Sequence, residues 1–330
     1  MKIAFFGTKP YDKKYFSKYE GKHEIKFFKP KLSQETSIMA AGYDAVCVFV
    51  NDDVNKKVVN DLAKNGVKYI LLRCAGFNNV DLEAAKENNI IVARVPSYSP
   101  EAVAEHAIAL VMASNRRLHK AYNKVRDNDY SLVGLSGVNL YNKTAGIIGS
   151  GKIGQAMARI CKGFGMNVIL FDPYPNEAIA AQIGARYESL EYLLKNSDLI
   201  SLHCPLTAEN THMINKDTIS LMKDGVMLVN TSRGGLINTE DLINGIKQNK
   251  FHSVALDVYE EESGLVFDDF SDTILEHTTT ARLLSFPNVI LTSHQGFFTT
   301  EALEAIAETT IDNATKLENN EECENIVTTK

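Results

Sequence analysis

The chain has 330 residues, of which 45% are hydrophobic, and a formal net charge of −6. That length favours two domains with sizeable cores. The acidic balance, with no run of Lys or Arg, argues against nucleic acid or an anionic membrane as the main partner. The five cysteines are odd in number and form no C-x-x-C pair, which is typical of reduced thiols. The N-terminal apolar run is too short for a signal peptide, so we expect a cytoplasmic protein.

Short apolar runs alternate with helix-like stretches over the first hundred residues. The five runs are KIAFF (2–6), EIKFF (24–28), DAVCVFV (44–50), YILL (69–72) and IIVA (90–93). Alternation of strands and helices favours a parallel α/β sheet. Residues 101–118, which follow Pro100, are apolar on nearly every side, and this predicts a buried helix.

A second series of apolar runs fills the rest of the chain. Its six members are TAGIIG (144–149), NVILFD (167–172), DLISLH (198–203), GVMLVN (225–230), HSVALD (252–257) and NVILTSH (288–294). Six strands match the count of a complete dinucleotide-binding sheet. An amphipathic helix is predicted over 300–317, and the polar tail ENNEECEN after it is expected to fray.

These patterns predict an α/β fold class with two doubly wound parallel-sheet domains. A Rossmann coenzyme domain, residues 100–298, would be inserted into a flavodoxin-like substrate domain, residues 1–99 plus 299–330. The helix near 101–118 would lead the chain from the substrate domain into the coenzyme domain, and the helix near 300–317 would return it. We expect a site in the cleft between the domains.

The motif Gly149-x-Gly151-x-x-Gly154 lies between a predicted strand and a predicted helix. Alone it also occurs in ordinary turns, but here its structural context is present. Gly149 would permit a tight turn, Gly151 close approach of a pyrophosphate, and Gly154 helix–strand packing. The helix N-terminus would offer free N–H groups to the phosphates.

The second strand of this series ends in Asp172, 18 residues after Gly154. A carboxylate at this point accepts hydrogen bonds from ribose hydroxyls and repels a 2′-phosphate. Pro173 and Tyr174 stand where a phosphate-binding Arg would be expected, so the cofactor predicted is NAD. The alternative is an Asp that only caps a turn.

Polar residues close three later strands of the series. Arg233 follows the run 225–230, Asp257 ends the run 252–257, and His294 ends the run 288–294, while Glu262 comes five residues after Asp257. Taken singly, Arg233 could be a surface ion-pair partner, Glu262 part of a solvated acidic cluster, and His294 a buried histidine. Since ligands bind at the carboxyl ends of parallel strands, their convergence on one edge favours a catalytic site.

The sequence resembles the NAD-dependent D-2-hydroxyacid dehydrogenases, and within that family the lactate branch, over nearly its whole length. The resemblance rests on RCAGFNNVD (73–81), VPSYSPEAVAEHA (95–107), GIIGSGKIGQ (146–155), HCPLTAENTHMIN (203–215), VNTSRGGLINTEDL (229–242), ALDVYEEE (255–262) and TSHQGFFTTEAL (292–303). The wider family more often has Pro-His where this chain has Ser293-His294. Gln295 fits the lactate branch.

The resemblance implies reversible reduction of pyruvate to D-lactate by hydride transfer from NADH, as in fermentation. It implies that His294 is the general acid and base, that Glu262 is paired to it, and that Arg233 binds the substrate carboxylate. It assigns substrate contacts to Ala75, Gly76, Tyr98 and Phe297. It assigns cofactor contacts to Gly149, Ser150, Gly151, Lys152, Ile153, Gly154, Asp172, His203, Cys204, Pro205, Asn210, Thr231, Ser232 and Asp257.

Alternatives stay open at this point. A related enzyme could take a larger 2-keto acid, such as phenylpyruvate or 2-ketoisocaproate, and an NAD-sensing regulatory protein could use the same fold without catalysis. Residues 264–286, between Glu262 and His294, are expected to cover one side of the cleft, or else to form an unrelated surface excursion. The predicted partner is the small 2-keto acid, with a homo-oligomer formed as a dimer through the coenzyme domain or as a tetramer. No metal site is expected.

Overall fold

The computed structural model describes residues 1–262, 264–267, 269–273 and 278–328. The chain divides into two compact units. The first unit contains Met1–Ser99 and the C-terminal segment that begins at Phe298, and the second contains Pro100–Phe297. Phe298, placed by the sequence prediction in the second domain, therefore belongs to the first unit.

Within the described residues, the first unit is built on a parallel sheet of five strands. The strands are β1 (Lys2–Phe5), β2 (Glu24–Phe27), β3 (Ala45–Val48), β4 (Tyr69–Leu72) and β5 (Ile91–Ala93). Each forms from one predicted apolar run. The order β2-β1-β3-β4-β5 is that of flavodoxin-like sheets. All four residues of β3 are buried, because a central parallel strand is covered on both faces.

The helices of this unit are α1 (Pro10–Tyr19), α2 (Lys56–Lys64), α3 (Leu82–Glu87) and α12 (Thr300–Glu318). The Thr299 hydroxyl caps α12 by accepting a hydrogen bond from the Ala302 amide at 3.2 Å. The predicted apolar face of α12 is buried.

The polar tail after α12 does not fray in the part that the structure describes. The Val327 amide donates to the Val92 carbonyl at 2.8 Å, and the Arg94 amide donates to the Asn325 carbonyl at 3.0 Å. Cys323 is buried. The expectation of fraying was wrong because the tail pairs with β5, a contact that its polar composition does not indicate.

The second unit contains a parallel sheet of seven strands, counted over the residues described. They are β6 (Thr144–Ile148), β7 (Asn167–Phe171), β8 (Arg186–Tyr187), β9 (Leu199–Leu202), β10 (Val226–Asn230), β11 (Phe251–Leu256) and β12 (Val289–Leu291). Their order, β12-β11-β10-β9-β6-β7-β8, is a Rossmann order extended by one strand. The fold class is as predicted, but the count of six strands was wrong. It omitted β8, which has only two residues and no apolar run.

The helices of the second unit are α4 (Pro100–Asn115), α5 (Leu118–Arg126), α6 (Lys152–Gly163), α7 (Glu177–Ile183), α8 (Leu190–Asn196), α9 (Lys216–Leu221), α10 (Thr239–Lys247) and α11 (Thr278–Ser285). The helix predicted over 101–118 ends early, at Asn115. Arg117 has a left-handed backbone with φ of 51°, which interrupts the helix. Its guanidinium donates to the Ser114 carbonyl at 3.0 Å and so satisfies the helix end.

None of the described helices combines the length and the apolar character needed to cross a bilayer. Among the residues in the structure's described ranges, no three His, Cys, Asp or Glu side chains are grouped so as to hold a metal ion.

Candidate active site

The glycine turn joins β6 to α6 and has the form of a phosphate cradle. Gly149 has a φ of 93°, and a Cβ there would collide with the backbone of His203 and Cys204. A Cβ on Gly154 would strike the Gly149 carbonyl, whereas a Cβ on Gly151 would meet nothing within 4 Å. The twelve-residue helix α6 therefore presents its N-terminus to open space beside Gly151. These features fit a dinucleotide pyrophosphate.

Asp172 lies just after β7 and is tied to this turn. Its Oδ2 accepts hydrogen bonds from the Ser150 amide at 2.7 Å and the Ser150 hydroxyl at 3.0 Å. Its Oδ1 accepts from the Tyr174 amide at 2.9 Å. The Tyr187 hydroxyl, from the unpredicted strand β8, donates to Ser150 Oγ at 2.8 Å. The turn-capping alternative for Asp172 is thus partly realised, and its carboxylate lies beside the glycine turn, as a ribose ligand requires.

The predicted cofactor residues His203, Cys204, Pro205 and Asn210 share one loop after β9. The Asn210 side chain donates to the Pro205 carbonyl at 2.7 Å and accepts from the Thr207 amide at 2.8 Å. Burial lowers the pKa of His203 to about 4, so its ring is neutral near pH 7. Burial also raises the pKa of the Cys204 thiol to about 11. His203 and Cys204, which lie next to Gly149, are therefore uncharged near pH 7.

The loops that carry Arg233, Glu262 and His294 leave one edge of the sheet. Asn230 of β10 pairs with Leu256 of β11, which in turn pairs with Leu291 of β12, so the strands end level with one another. This is the edge at which ligands bind in such sheets. The predicted convergence of the three loops is therefore present in the second unit.

Asp257 is a buried support for the turn that contains His294. Its carboxylate accepts hydrogen bonds from the Gln295 amide at 2.9 Å, the Gly296 amide at 2.8 Å and the Thr292 hydroxyl at 2.5 Å. His106 Nε2, on α4, lies 3.2 Å from Asp257 Oδ1. Burial alone would raise the pKa of Asp257, but hydrogen bonds from His106, Thr292 and the Gln295 amide lower it below its ordinary value. The ionised Asp257 thus holds the turn in place.

His294 pairs with Glu262 as predicted from the sequence resemblance. Its Nδ1 lies 3.2 Å from Glu262 Oε1, and 22% and 16% of the two side chains are exposed. The backbone of His294 is left-handed, with φ of 49°, and its amide donates to the Asp257 carbonyl at 2.8 Å. A bond between Nδ1 and a carboxylate places a proton on Nδ1 and directs chemistry to Nε2.

Arg233 follows β10 in a loop braced by the buried Asn230. The Asn230 side chain donates to the Arg233 carbonyl at 2.9 Å and accepts from the Ser232 amide at 2.9 Å. The guanidinium is half-buried and donates to the Ser232 carbonyl at 2.7 Å. In the part of the chain that is described, the buried hydroxyl of Thr231 has no hydrogen-bond partner, which fits a polar group of the nicotinamide end of a cofactor.

The ring of Phe267, which sequence reasoning did not single out, lies beside the imidazole and next to the predicted Phe297. The Phe267 ring centroid is 6.2 Å from that of His294 and 6.3 Å from that of Phe297. Phe267 belongs to the segment 264–286 expected to cover the site. Residues 268 and 274–277 of that segment lie outside the described residues. His106, the partner of Asp257, was also missed, although it stands in the segment VAEHA.

Three predicted substrate residues, Ala75, Gly76 and Tyr98, belong to the first unit. The Ala75 carbonyl accepts from Arg94 Nη1 at 2.8 Å, and the Gly76 carbonyl accepts from the Cys74 thiol at 3.3 Å. Within the described ranges, neither amide of this pair donates a hydrogen bond. Tyr98 is half-buried.

A Rossmann sheet with a glycine-rich turn, a carboxylate beside that turn and a His–Glu pair is the arrangement expected of a dinucleotide-dependent oxidoreductase. Residues 108–296 match the model of the D-isomer specific 2-hydroxyacid dehydrogenase NAD-binding domain. The chain is 51% identical over 327 residues to D-lactate dehydrogenase of Escherichia coli strain K12, covering 98% of this chain and 99% of that protein.

Solved structures agree with this match. The apo form of the Escherichia coli D-lactate dehydrogenase superposes with a TM-score of 0.91 at 50% identity, over 99% of this chain and 100% of that one. The pyruvate reductase of Chlamydomonas reinhardtii superposes with a TM-score of 0.94 at 43% identity, over 98% of each chain. The chain belongs to the D-isomer specific 2-hydroxyacid dehydrogenases, which reduce 2-keto acids with NADH, and its second unit is the NAD-binding domain.

Proposed function

We propose that this protein reduces pyruvate to D-lactate and that Arg233, Glu262 and His294 carry the reaction. The observation that carries the proposal is the 3.2 Å contact between His294 and Glu262 at the carboxyl edge of the NAD-binding sheet. The names of the similar proteins support pyruvate as the substrate.

NADH, when bound, supplies the hydride to the carbonyl carbon. His294 then donates the proton that the carbonyl oxygen needs, from Nε2, while Nδ1 stays bonded to Glu262. The Glu262 carboxylate stabilises the imidazolium and fixes the ring orientation. In the oxidative direction the neutral ring of His294 accepts the hydroxyl proton.

Arg233 holds the substrate carboxylate and polarises the carbonyl, because a guanidinium offers two parallel N–H groups. The amides of Ala75 and Gly76 provide further donors to the carboxylate. Tyr98 contributes aromatic surface near C3 of the substrate. Asp257, besides supporting its turn, contacts the nicotinamide end of the cofactor with Thr231 and Ser232.

Selectivity for a small keto acid follows from the rings near His294. Phe267 and Phe297 leave room for a methyl group at C3, and a longer chain requires them to move. One extra methylene in such a pocket changes selectivity by roughly 10–200-fold. We therefore expect pyruvate first, 2-ketobutyrate next, and phenylpyruvate or 2-ketoisocaproate slower.

The test is a kcat/KM series over these four keto acids with NADH, with chiral analysis of the product. A preference for phenylpyruvate over pyruvate would favour the enzyme for a larger 2-keto acid. An L product would refute the proposed stereochemistry. NADH binding without turnover of any keto acid would favour the regulatory alternative. A Phe267→Ala variant should narrow the difference between pyruvate and phenylpyruvate, and an unchanged ratio would remove Phe267 from the pocket.

We further propose that the protein is a homo-oligomer through an exposed arm, defined as residues 118–141. None of the nine residues of α5, all of them described, is buried. The arm exposes the large apolar side chains of Leu118, Tyr122, Val125, Tyr130, Leu132 and Val133. Clustered exposed apolar residues mark an association surface. Leu132→Glu should lower the solution mass measured by light scattering, whereas Tyr174→Glu, an equally exposed ring outside the arm, should not.

The cytoplasm is the location proposed. All five cysteines are free thiols, and four of them are buried, which suits a reducing compartment. Cell fractionation tests this directly.

A further inference from the structure

Glu260, two residues before the proposed catalytic Glu262, has its carboxylate fully engaged. Its Oε1 lies 2.6 Å from His212 Nε2, and its Oε2 accepts from the Thr239 amide at 2.8 Å and the Thr239 hydroxyl at 2.6 Å. Burial alone would raise the pKa of Glu260, but the bonds from Thr239 and His212 lower it. The carboxylate is therefore ionised and makes charge-assisted bonds.

These bonds join three segments of the chain. Thr239 begins α10 and ends the Arg233 loop, whose last part includes the 3-10 turn Gly234–Leu236. His212 belongs to the loop after β9, and its amide donates to the Gly235 carbonyl at 2.8 Å. Glu260 itself belongs to the loop after β11. The side chain of Glu260 thus links the loop after β9, the Arg233 loop and the Glu262 loop by hydrogen bonds.

The backbones of two of these segments are also in direct contact. A Cβ on Gly234 would collide with the backbone of Tyr259 and Glu260. Because Gly234 contacts this loop and Glu260 is bonded to Thr239, a relative shift of the Arg233 and Glu262 loops would break these contacts. Arg233 adjoins Gly234, and Glu262 is two residues from Glu260, so these contacts lie beside both groups.

We propose that Glu260 is a positioning residue that fixes the Glu262–His294 pair relative to Arg233. This inference rests on the proposed function of those three residues. Glu260 contacts none of the reacting atoms in this assignment. It acts by holding the loop that carries Glu262, the partner of His294. A displacement of that loop would move His294 relative to Arg233.

The experiment compares Glu260→Ala and Glu260→Gln with the unmodified protein. Glu240→Gln, which removes an exposed charge in the first turn of α10, is the matched control. Misplacement of about 1 Å can cost ~100-fold, so Glu260→Ala should lower kcat/KM for pyruvate about 10–100-fold. Glu260→Gln should recover most of this, because its amide oxygen can accept from Thr239 while its NH2 donates to the other tautomer of His212. Glu240→Gln should leave kcat/KM unchanged.

A double-mutant cycle with Glu262→Gln separates positioning from loss of structure. If Glu260 acts through the Glu262 pair, Glu260→Ala should cost far less in the Glu262→Gln background than in the unmodified protein. Equal losses in both backgrounds would overturn the inference. NADH fluorescence and thermal unfolding identify a temperature at which every variant is folded. The Thr239→Val variant removes only the hydroxyl hydrogen bond to Glu260 and should therefore have a smaller effect on kcat/KM.

The activity of the unmodified protein separates failure of the proposed function from failure of the positioning role of Glu260. If it reduces no 2-keto acid, the proposed function fails and the inference fails with it. If it is active and Glu260→Ala is as active, only the positioning role of Glu260 is refuted.

Discussion

The two parallel sheets of the molecule treat charge at their carboxyl edges in opposite ways. In the first unit, Arg73, Asp12 and Asp52 are 4%, 5% and 3% exposed, and Arg73 Nε forms an ion pair with Asp12 Oδ1 at 3.7 Å. In the second unit, the buried Asp257 supports a turn, while His294 and Arg233 stay partly exposed. The first unit thus buries its charged side chains together, whereas the second leaves those of His294 and Arg233 partly exposed.

Arg73 shows how the first unit surrounds a buried charge. The guanidinium lies between the rings of Phe5 and Phe49, with Cζ 4.4 and 5.1 Å from their centroids. Its Nη2 donates to the Phe6 carbonyl at 3.0 Å. Asp52 accepts from the Leu32 and Phe49 amides, each at 2.6 Å. We interpret this cluster as a support for the loops of the first unit, in contrast to the proposed catalytic edge of the second.

The largest effect is expected from His294→Gln. Proton transfer by a positioned side chain contributes ~10²–10⁴-fold, so kcat for pyruvate should fall by about that factor while NADH affinity changes little. Steady-state kinetics and NADH fluorescence measure the two quantities. A variant that reduces pyruvate at the original rate would show that the acid lies elsewhere.

Arg73→Met should act on stability instead. Removing one partner of a buried ion pair leaves uncompensated charge and costs about 3–5 kcal/mol in the free energy of unfolding. Chemical denaturation of the two proteins gives this difference. If Arg73→Met unfolds at the same denaturant concentration as the unmodified protein, the proposed bracing role of the cluster is wrong.

Arg233→Lys should affect catalysis and leave stability unchanged, in contrast to Arg73→Met. The substitution keeps the positive charge but loses the planar guanidinium, which binds a carboxylate with two N–H groups. Loss of a transition-state donor costs roughly 10²–10³-fold, and the retained charge should hold the fall in kcat/KM near the lower end. The unfolding free energy should stay unchanged. An unaltered KM for pyruvate would separate Arg233 from the substrate carboxylate.

Asp172→Ala tests the ribose side of the second unit. Without the carboxylate the variant loses hydrogen bonds to NADH and the repulsion of a 2′-phosphate, so the ratio of the NADPH and NADH dissociation constants should fall about tenfold. Fluorescence titration with both nucleotides measures the ratio. Equal binding of the two by the unmodified protein would contradict the assignment.

The smallest effects concern the dependence of stability on pH. A buried aspartate in each unit should contribute to this dependence with opposite sign. Burial raises the pKa of Asp52 from its ordinary 3.8, despite Arg73 and two amides. Above that ordinary value the native acid keeps a proton that the unfolded chain loses, so rising pH lowers stability until the native pKa is passed. Asp257 has a lowered pKa, so its stabilisation is present above the ordinary 3.8 and is lost as pH falls through the native value.

Melting temperatures across pH should show this opposition. Asn mimics the neutral acid, so the Asp52→Asn variant should improve relative to the unmodified protein as pH rises above about 4. The deficit of Asp257→Asn should instead shrink as pH falls below about 4. Parallel curves for either variant would contradict the direction given for that group.

Much of the fold was predictable from sequence because its determinants are local. Central parallel strands are covered on both faces, so β3 and β10 stand out as continuous apolar runs. β8 and the tail after α12 escaped because they are short or polar, and they are ordered by pairing with strands far from them in the chain. The break at Arg117 depends on a left-handed backbone that non-glycine residues rarely adopt.

Backbone geometry and strand polarity act locally, so the glycine turn, Asp172 and the order in which Arg233, Glu262 and His294 follow their strands could be predicted from the sequence alone. The resemblance already named Glu262 as the partner of His294, but the contacts of its neighbour Glu260 became evident only in the folded chain. Glu262 bonds His294, whereas Glu260 turns to Thr239 and His212. The tertiary structure also decided that His106 on α4 supports Asp257, 151 positions away. Such pairings depend on which loops the folded sheet brings to one edge, and no spacing along the chain encodes that.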